Sequence, residues 1–175
     1  YTDQLVLAQV NAQNAILLDN SVSEAYALSG WAKGFQKDYL NGETDARRAI
    51  ELDQNSGFAH AVLAYILALR VEAGLEELDT MDLAIEESRT ALALEHNLLE
   101  AHWARGYVLE ITSNYEDAVA ELDTAIAVNS NVARVHLALG RNLINTGDLD
   151  RSVFEFTKAY SLNPTDSTPN LFISR

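Results

Sequence analysis

Residues 133–166 read ARVHLALGRNLINTGDLDRSVFEFTKAYSLNPTD, and this stretch decides the fold. Two helix-like segments flank Gly147-Asp148. Glycine accepts the left-handed conformation that ends a helix, and aspartate suits the N-terminal cap of the next. Pro164 has no amide hydrogen and stops the second helix. The stretch reads as two helices and a tight turn in 34 residues.

Shifting back by 34 residues overlays 99–132 on it, with Gly106 where Gly140 stood. Residues 57–98 form another copy, 42 residues long, with eight extra residues near 71–79. Residues 23–56 give a further copy of 34, and 1–22 the back half of one more. Small side chains recur in register: Gly30, Ala64, Gly106 and Gly140 at position 8; Ala8, Gly42, Ala84, Ala118 and Ser152 at position 20; Ala15, Ala49, Ala91, Ala125 and Ala159 at position 27. Such positions let two antiparallel helices approach closely. Ser113-Asn114 and Lys37-Asp38 stand where Gly147-Asp148 does and are expected to end one helix and cap the next. Helices are expected near 3–18, 23–36, 39–54, 57–72, 80–95, 99–112, 115–129, 133–146 and 149–162.

The period, with Leu139, Gly140, Gly147, Asp148, Phe156, Ala159 and Pro164, resembles the tetratricopeptide repeat (TPR) family. The resemblance spans one domain, 1–175: a half repeat (1–22), four full repeats (23–56, 57–98, 99–132, 133–166) and an extension (167–175). Position 4 departs from the pattern, with Tyr26 in the first full repeat and His60, His102 and His136 in the others. Position 24 is small in Ala12, Ala46 and Ser88 but large in Leu122 and Phe156. The resemblance implies an all-α, right-handed superhelical solenoid of antiparallel helix pairs. It also implies first helices lining a concave groove, and a protein–protein interaction module that binds a peptide or protein segment there.

At the positions that face the groove in the family stand Trp31, Tyr65, Tyr107 and Arg141, joined by Phe58, Arg134 and Trp103. The resemblance makes these seven the groove candidates. Tyr65 and Tyr107 are expected to be exposed as an aromatic lane, since rings give large contact area at low entropic cost. The alternative is that the rings pack between neighbouring helices. The two arginines suit a carboxylate or phosphate. The lysines and asparagines by which some relatives hold an aspartate-ended tail are missing: Ala27, Trp31, Val62 and Tyr65 stand there instead.

Composition narrows the function further. The chain carries 12 basic and 26 acidic side chains, a net charge of −14, which disfavours nucleic acid. The acidity is local: residues 71–132 hold two bases and fourteen acids, while 133–175 hold five bases and four acids. Most of these acids fall on second helices, the expected outer face. With no cysteine there are no disulfides or thiolate sites. The longest apolar run, Ala61 to Leu69, is too short to cross a membrane, which takes about twenty residues. Histidines one per repeat sit about 10 Å apart and do not converge on a metal. No catalytic motif is legible, so no enzyme activity, cofactor or metal is expected.

A second expectation is structural. The chain opens in mid-repeat and 167–175 reads as the start of another, with Pro169 near its first turn. Uncapped solenoid ends expose apolar surface, so packing against a parent chain or self-association is the alternative to peptide binding. The extra residues near 71–79 are read as a lengthened helix with a solvated turn, or else as a contact loop.

Overall fold

The computed structural model describes residues 2–75 and 78–165. Among the described residues there are nine α-helices and no strand: α1 (Thr2–Leu18), α2 (Ser23–Phe35), α3 (Tyr39–Leu52), α4 (Gly57–Glu72), α5 (Leu78–Leu94), α6 (Leu99–Ile111), α7 (Tyr115–Val128), α8 (Ala133–Thr146) and α9 (Leu149–Leu162). Every boundary lies within two residues of the sequence expectation. Helices pair as α2/α3, α4/α5, α6/α7 and α8/α9, with α1 packed on α2. Each second helix also leans on the next first helix, which makes a continuous stack. The first helices α2, α4 and α6 pack side by side, whereas α6 and α8 stand further apart.

The small residues do what their spacing predicts, and they compensate for position 24. A Cβ on Gly106 would stand 2.8 Å from Leu122 Cγ, and one on Gly140 only 2.6 Å from the Phe156 ring. Position 8 is glycine where position 24 is large, and alanine (Ala64) where position 24 is the small Ser88. In the first full repeat both are small, and a Cβ on Gly30 would meet the Gly42 carbonyl at 2.9 Å. There the backbones themselves set the approach.

The turns follow one geometry with unequal chemistry. Gly147 adopts φ +86, and the side chain of Asp148 accepts a hydrogen bond from the Arg151 amide at 3.2 Å. Lys37 (φ 64) and Ser113 (φ 61) hold the same left-handed conformation without being glycine. The following residues do not cap as expected. Asp38 instead accepts from the Asn41 side chain, and Asn114 donates to Thr112. Both helices therefore start without a side-chain cap.

The extra residues of the second full repeat mostly extend helices. α4 has 16 residues against 13 in α2 and α6, and α5 has 17 against 14 in α3 and α7. After α4 the chain turns at Gly74 (φ +69), with Leu75 exposed. Glu76 and Glu77 of this segment, and the extension 167–175, lie outside the described residues. The apolar run Ala61–Leu69 falls in α4, buried on nearly all sides at the centre of the stack, as a helix apolar all round should be.

His60, His102 and His136 are buried, but they are more than packing residues. Each ring Nδ1 faces a glutamate of the paired second helix: Glu87 at 2.5 Å, Glu121 at 2.7 Å and Glu155 at 2.6 Å. Each Nε2 faces a backbone carbonyl of the preceding loop: Gln54 at 3.2 Å, His96 at 2.9 Å and Ser130 at 3.0 Å.

Candidate functional site

The rings assigned to an exposed lane stand together, but three of them are closed to solvent. Tyr65 is 6% exposed, Tyr107 5% and Trp103 5%, which corrects the expectation of groove exposure for the tyrosines. The rings of α2, α4 and α6 pack into one cluster of tilted and edge-to-face pairs. Trp31 lies 5.0 Å from Tyr65 and 5.3 Å from Trp103, Tyr65 lies 4.9 Å from Tyr107, and Phe35 lies 5.7 Å from Trp103. Such geometry adds about 0.5–1.5 kcal/mol per pair to the area buried. The contacts of Trp31 and Phe35 with Trp103 join the first and third full repeats directly. Arg134, from the fourth, stacks over the Phe35 ring with its guanidinium carbon 4.1 Å from the centroid. The first helices thus curl far enough for their own side chains to fill the middle of the concave face.

A cavity of about 410 Å³ remains beside this cluster. Phe35, Tyr65, Trp103 and Tyr107 supply aromatic walls, and Lys37, Arg134 and Arg141 bring cations to its lining. Lys37 comes from the turn after α2 and both arginines from α8, so opposite ends of the stack build one site. Glu72 is the acidic group in the lining, and the Tyr107 hydroxyl donates to it at 2.5 Å. Burial and that hydrogen bond both push the Tyr107 phenol well above its ordinary range. Burial likewise raises the Tyr39 phenol, helped by the charge of Glu72.

Arg141 is braced from behind. Its guanidinium donates to Glu110 at 3.1 Å, and Asn142 donates to the same carboxylate oxygen at 3.1 Å. Burial raises the Glu110 carboxyl, against the opposing pull of Arg141 and Asn142. The pair spans the wider α6–α8 gap and fixes where the arginine stands.

Tyr65, Trp103, Tyr107, Arg134 and Arg141 therefore meet at one cavity. Trp31 backs it without lining it. Phe58 packs on Trp31 at 6.1 Å and lines a different cleft, with Glu24, Asp53, Glu95 and Glu100 around it. The sequence reading missed Lys37, Tyr39 and Glu72. For Glu72 a signal was present: Tyr65, Leu69 and Glu72 lie at helical spacing on one face of the lengthened α4. For Lys37 none was, since its role depends on how far the solenoid curls.

Among the described residues no group of acidic and histidine side chains is arranged to hold a metal ion. No described helix is long and apolar enough to cross a membrane.

The family model described as tetratricopeptide repeat matches residues 133–166. No curated protein matches the chain. Among solved structures, a thermophilic TPR protein of Thermus thermophilus superposes with a TM-score of 0.79 at 15% identity, over 98% of this chain and 90% of that one. PilF of Pseudomonas aeruginosa gives 0.70 at 24% identity, over 89% and 67%. YrrB, described as a TPR protein with an unusual peptide-binding site, gives 0.58 at 19% identity, over 98% and 84%. The match at 133–166 identifies that unit as a tetratricopeptide repeat, and the shared architecture gives the chain the fold of tetratricopeptide-repeat solenoids, a fold of protein-interaction scaffolds.

Proposed function

We propose that the chain is a peptide-docking module whose seat is the cavity between α2, α4, α6 and α8. The observation that carries this reading is the cavity's composition: three cations and one carboxylate around aromatic walls. Its volume falls in the range of specific small sites. It suits a short segment that places an acidic group near Lys37, Arg134 and Arg141 and an apolar side chain on the rings. The likeness to YrrB, described as having a peptide-binding site, supports the class of ligand. The reading has no catalytic step and no cofactor.

Selection from a randomised peptide library tests it. Peptides pairing an acidic with an apolar residue are expected to be enriched. Arg134→Ala is expected to weaken their binding about tenfold, the loss of one charge-assisted contact. Its thermal midpoint should stay near that of the wild type, since a cation–π contact is worth about 1 kcal/mol. Enrichment of basic peptides, or binding indifferent to Arg134→Ala, refutes the reading.

A second reading rests on exposed apolar side chains at the two ends. Leu17 and Leu18 of α1 are 76% and 89% exposed, and Leu149, Val153 and Phe154 of α9 are also exposed. Such surfaces favour end-to-end packing with another helical unit. Light scattering across a concentration series separates the readings, because a concentration-independent monomer removes self-association.

A further inference from the structure

The three buried histidines share a repeat position and one arrangement. Each ring presents two nitrogens to two acceptors, a glutamate carboxylate at Nδ1 and a peptide carbonyl at Nε2. A neutral imidazole has one N–H and one lone pair, so it serves one acceptor and sets lone pair against lone pair at the other. Both contacts are filled only when the histidine–glutamate pair holds one more proton than neutral histidine beside ionised glutamate. That proton belongs to the pair, whichever partner carries it. The rings are 9%, 9% and 4% exposed, which leaves water little access to replace a broken bond.

Each clasp ties three segments: a first helix, its second helix and the loop that enters the repeat. His60 joins α4, α5 and the 53–56 loop. His102 joins α6, α7 and the 95–98 loop, and His136 joins α8, α9 and the 129–132 loop. Charged groups around these sites include Arg105 and Arg151, with Asp117, Asp123 and Asp148 acting on those arginines in turn. Arg105 of α6 lies in the field of Glu121 and donates to Ser88, the neighbour of Glu87. Arg151 of α9 stands 3.9 Å from Glu155 and pairs with Asp123. Arginine keeps its charge throughout the neutral range, so the proton in question is the one shared by the histidine–glutamate pair.

We propose that the three His–Glu–carbonyl clasps form a proton-dependent latch, which locks the helix pairs of the last three repeats at neutral and mildly acidic pH and releases them as pH rises. The first full repeat has Tyr26 at this position and stands outside the latch. For His60, the hydrogen bond to Glu87 holds the ring above its ordinary value against the opposing effect of burial. Its contribution is therefore complete below the unfolded value of about 6.5 and is lost as pH rises through the higher folded value. Inside that window the folding equilibrium constant falls about tenfold per pH unit as the His60 clasp gives up its proton.

The test is urea unfolding from about pH 6 to about pH 9 on the wild type and on the triple variant Glu87→Gln, Glu121→Gln, Glu155→Gln. An amide turns its NH2 to the Nδ1 lone pair and leaves Nε2–H for the carbonyl, so the variant's clasps are complete with neutral rings. The wild-type midpoint is expected to fall across this range, and the variant's to stay level. Protection of the 53–60, 95–102 and 129–136 amides from hydrogen exchange, taken relative to the intrinsic rate at each pH, should fall over the same range in the wild type only. A level wild-type midpoint, or an equal fall in both proteins, overturns the proposal. If the triple variant does not fold, nitrogen-15 spectra of the wild-type imidazoles decide. Ring deprotonation in step with the loss of protection supports the latch; rings that lose their protons with no change in protection overturn it.

Discussion

Replacing Gly140 by alanine tests the compensation that sets the spacing of α8 and α9. The added methyl carbon would stand 2.6 Å from Cε1, 2.8 Å from Cδ1 and 2.9 Å from Cζ of Phe156. Phe156 is 1% exposed, and the two helices are pinned nearby by the bond from Ser152 Oγ to the Gly140 carbonyl at 2.9 Å. The ring has nowhere to retreat. Overpacking of this kind costs about 1–3 kcal/mol, while alanine returns about 1 kcal/mol through its helix propensity. The net expectation is a loss of up to about 2 kcal/mol by urea denaturation, or a melting midpoint lower by up to about 8 °C. In a Phe156→Ala background the crowding is gone and only the propensity gain remains. The same substitution should then stabilise by up to about 1 kcal/mol, giving a coupling of about 1–3 kcal/mol in the double-mutant cycle. The repeat that carries Ala64 with Ser88 at position 24 already has the tolerant combination. A Gly140→Ala protein as stable as the wild type, with no coupling to Phe156, refutes this account of the spacing.

Ser113→Gly should stabilise the chain by about 1 kcal/mol in a thermal melt, because Ser113 holds φ 61, which glycine adopts without steric cost. Tyr107→Phe should cost about 1 kcal/mol by urea denaturation, since it removes the 2.5 Å bond to Glu72 and leaves the ring in place. It should also leave the tyrosine absorbance change near about pH 10 undiminished, because burial and Glu72 already keep that phenol protonated there. A reduced amplitude in the variant would contradict the burial.

The repeat made the helices and their pairing legible, because both depend on contacts between residues close in sequence. The 34-residue period places position 8 against position 24 in every unit, so Gly106 and Leu122, or Gly140 and Phe156, are found by counting. The turn was legible at Gly147, where side chain and backbone agree. It was only half legible at Lys37 and Ser113, where the tight turn holds the left-handed conformation against the residue's own preference. The histidines were legible as a series but not as clasps. Their partners at position 23 (Glu87, Glu121 and Glu155) are in register too, and pairing the two columns would have exposed the bond.

The groove was harder to read, for a reason that lies in solenoid geometry. A repeat pattern states which face each side chain takes relative to its neighbours, but not how far the stack has curled after three or four units. That curl depends on small differences at each interface, such as the glycine–large and alanine–small combinations at positions 8 and 24. Here it is enough to bring Trp31 to within 5.3 Å of Trp103, and Arg134 over Phe35, contacts between repeats that are not adjacent in sequence. Rings assigned to a binding lane become the filling of the concave face. This changes what an alanine scan of the site means. Truncating Trp103 removes a wall that positions α2, α4 and α6, so its effect on binding comes through the shape of the cavity. Truncating Arg134 removes a group that lines the cavity while leaving its walls in place. The cations are thus the residues whose loss reports on ligand contact, and the aromatics are those whose loss reports on the curl of the solenoid.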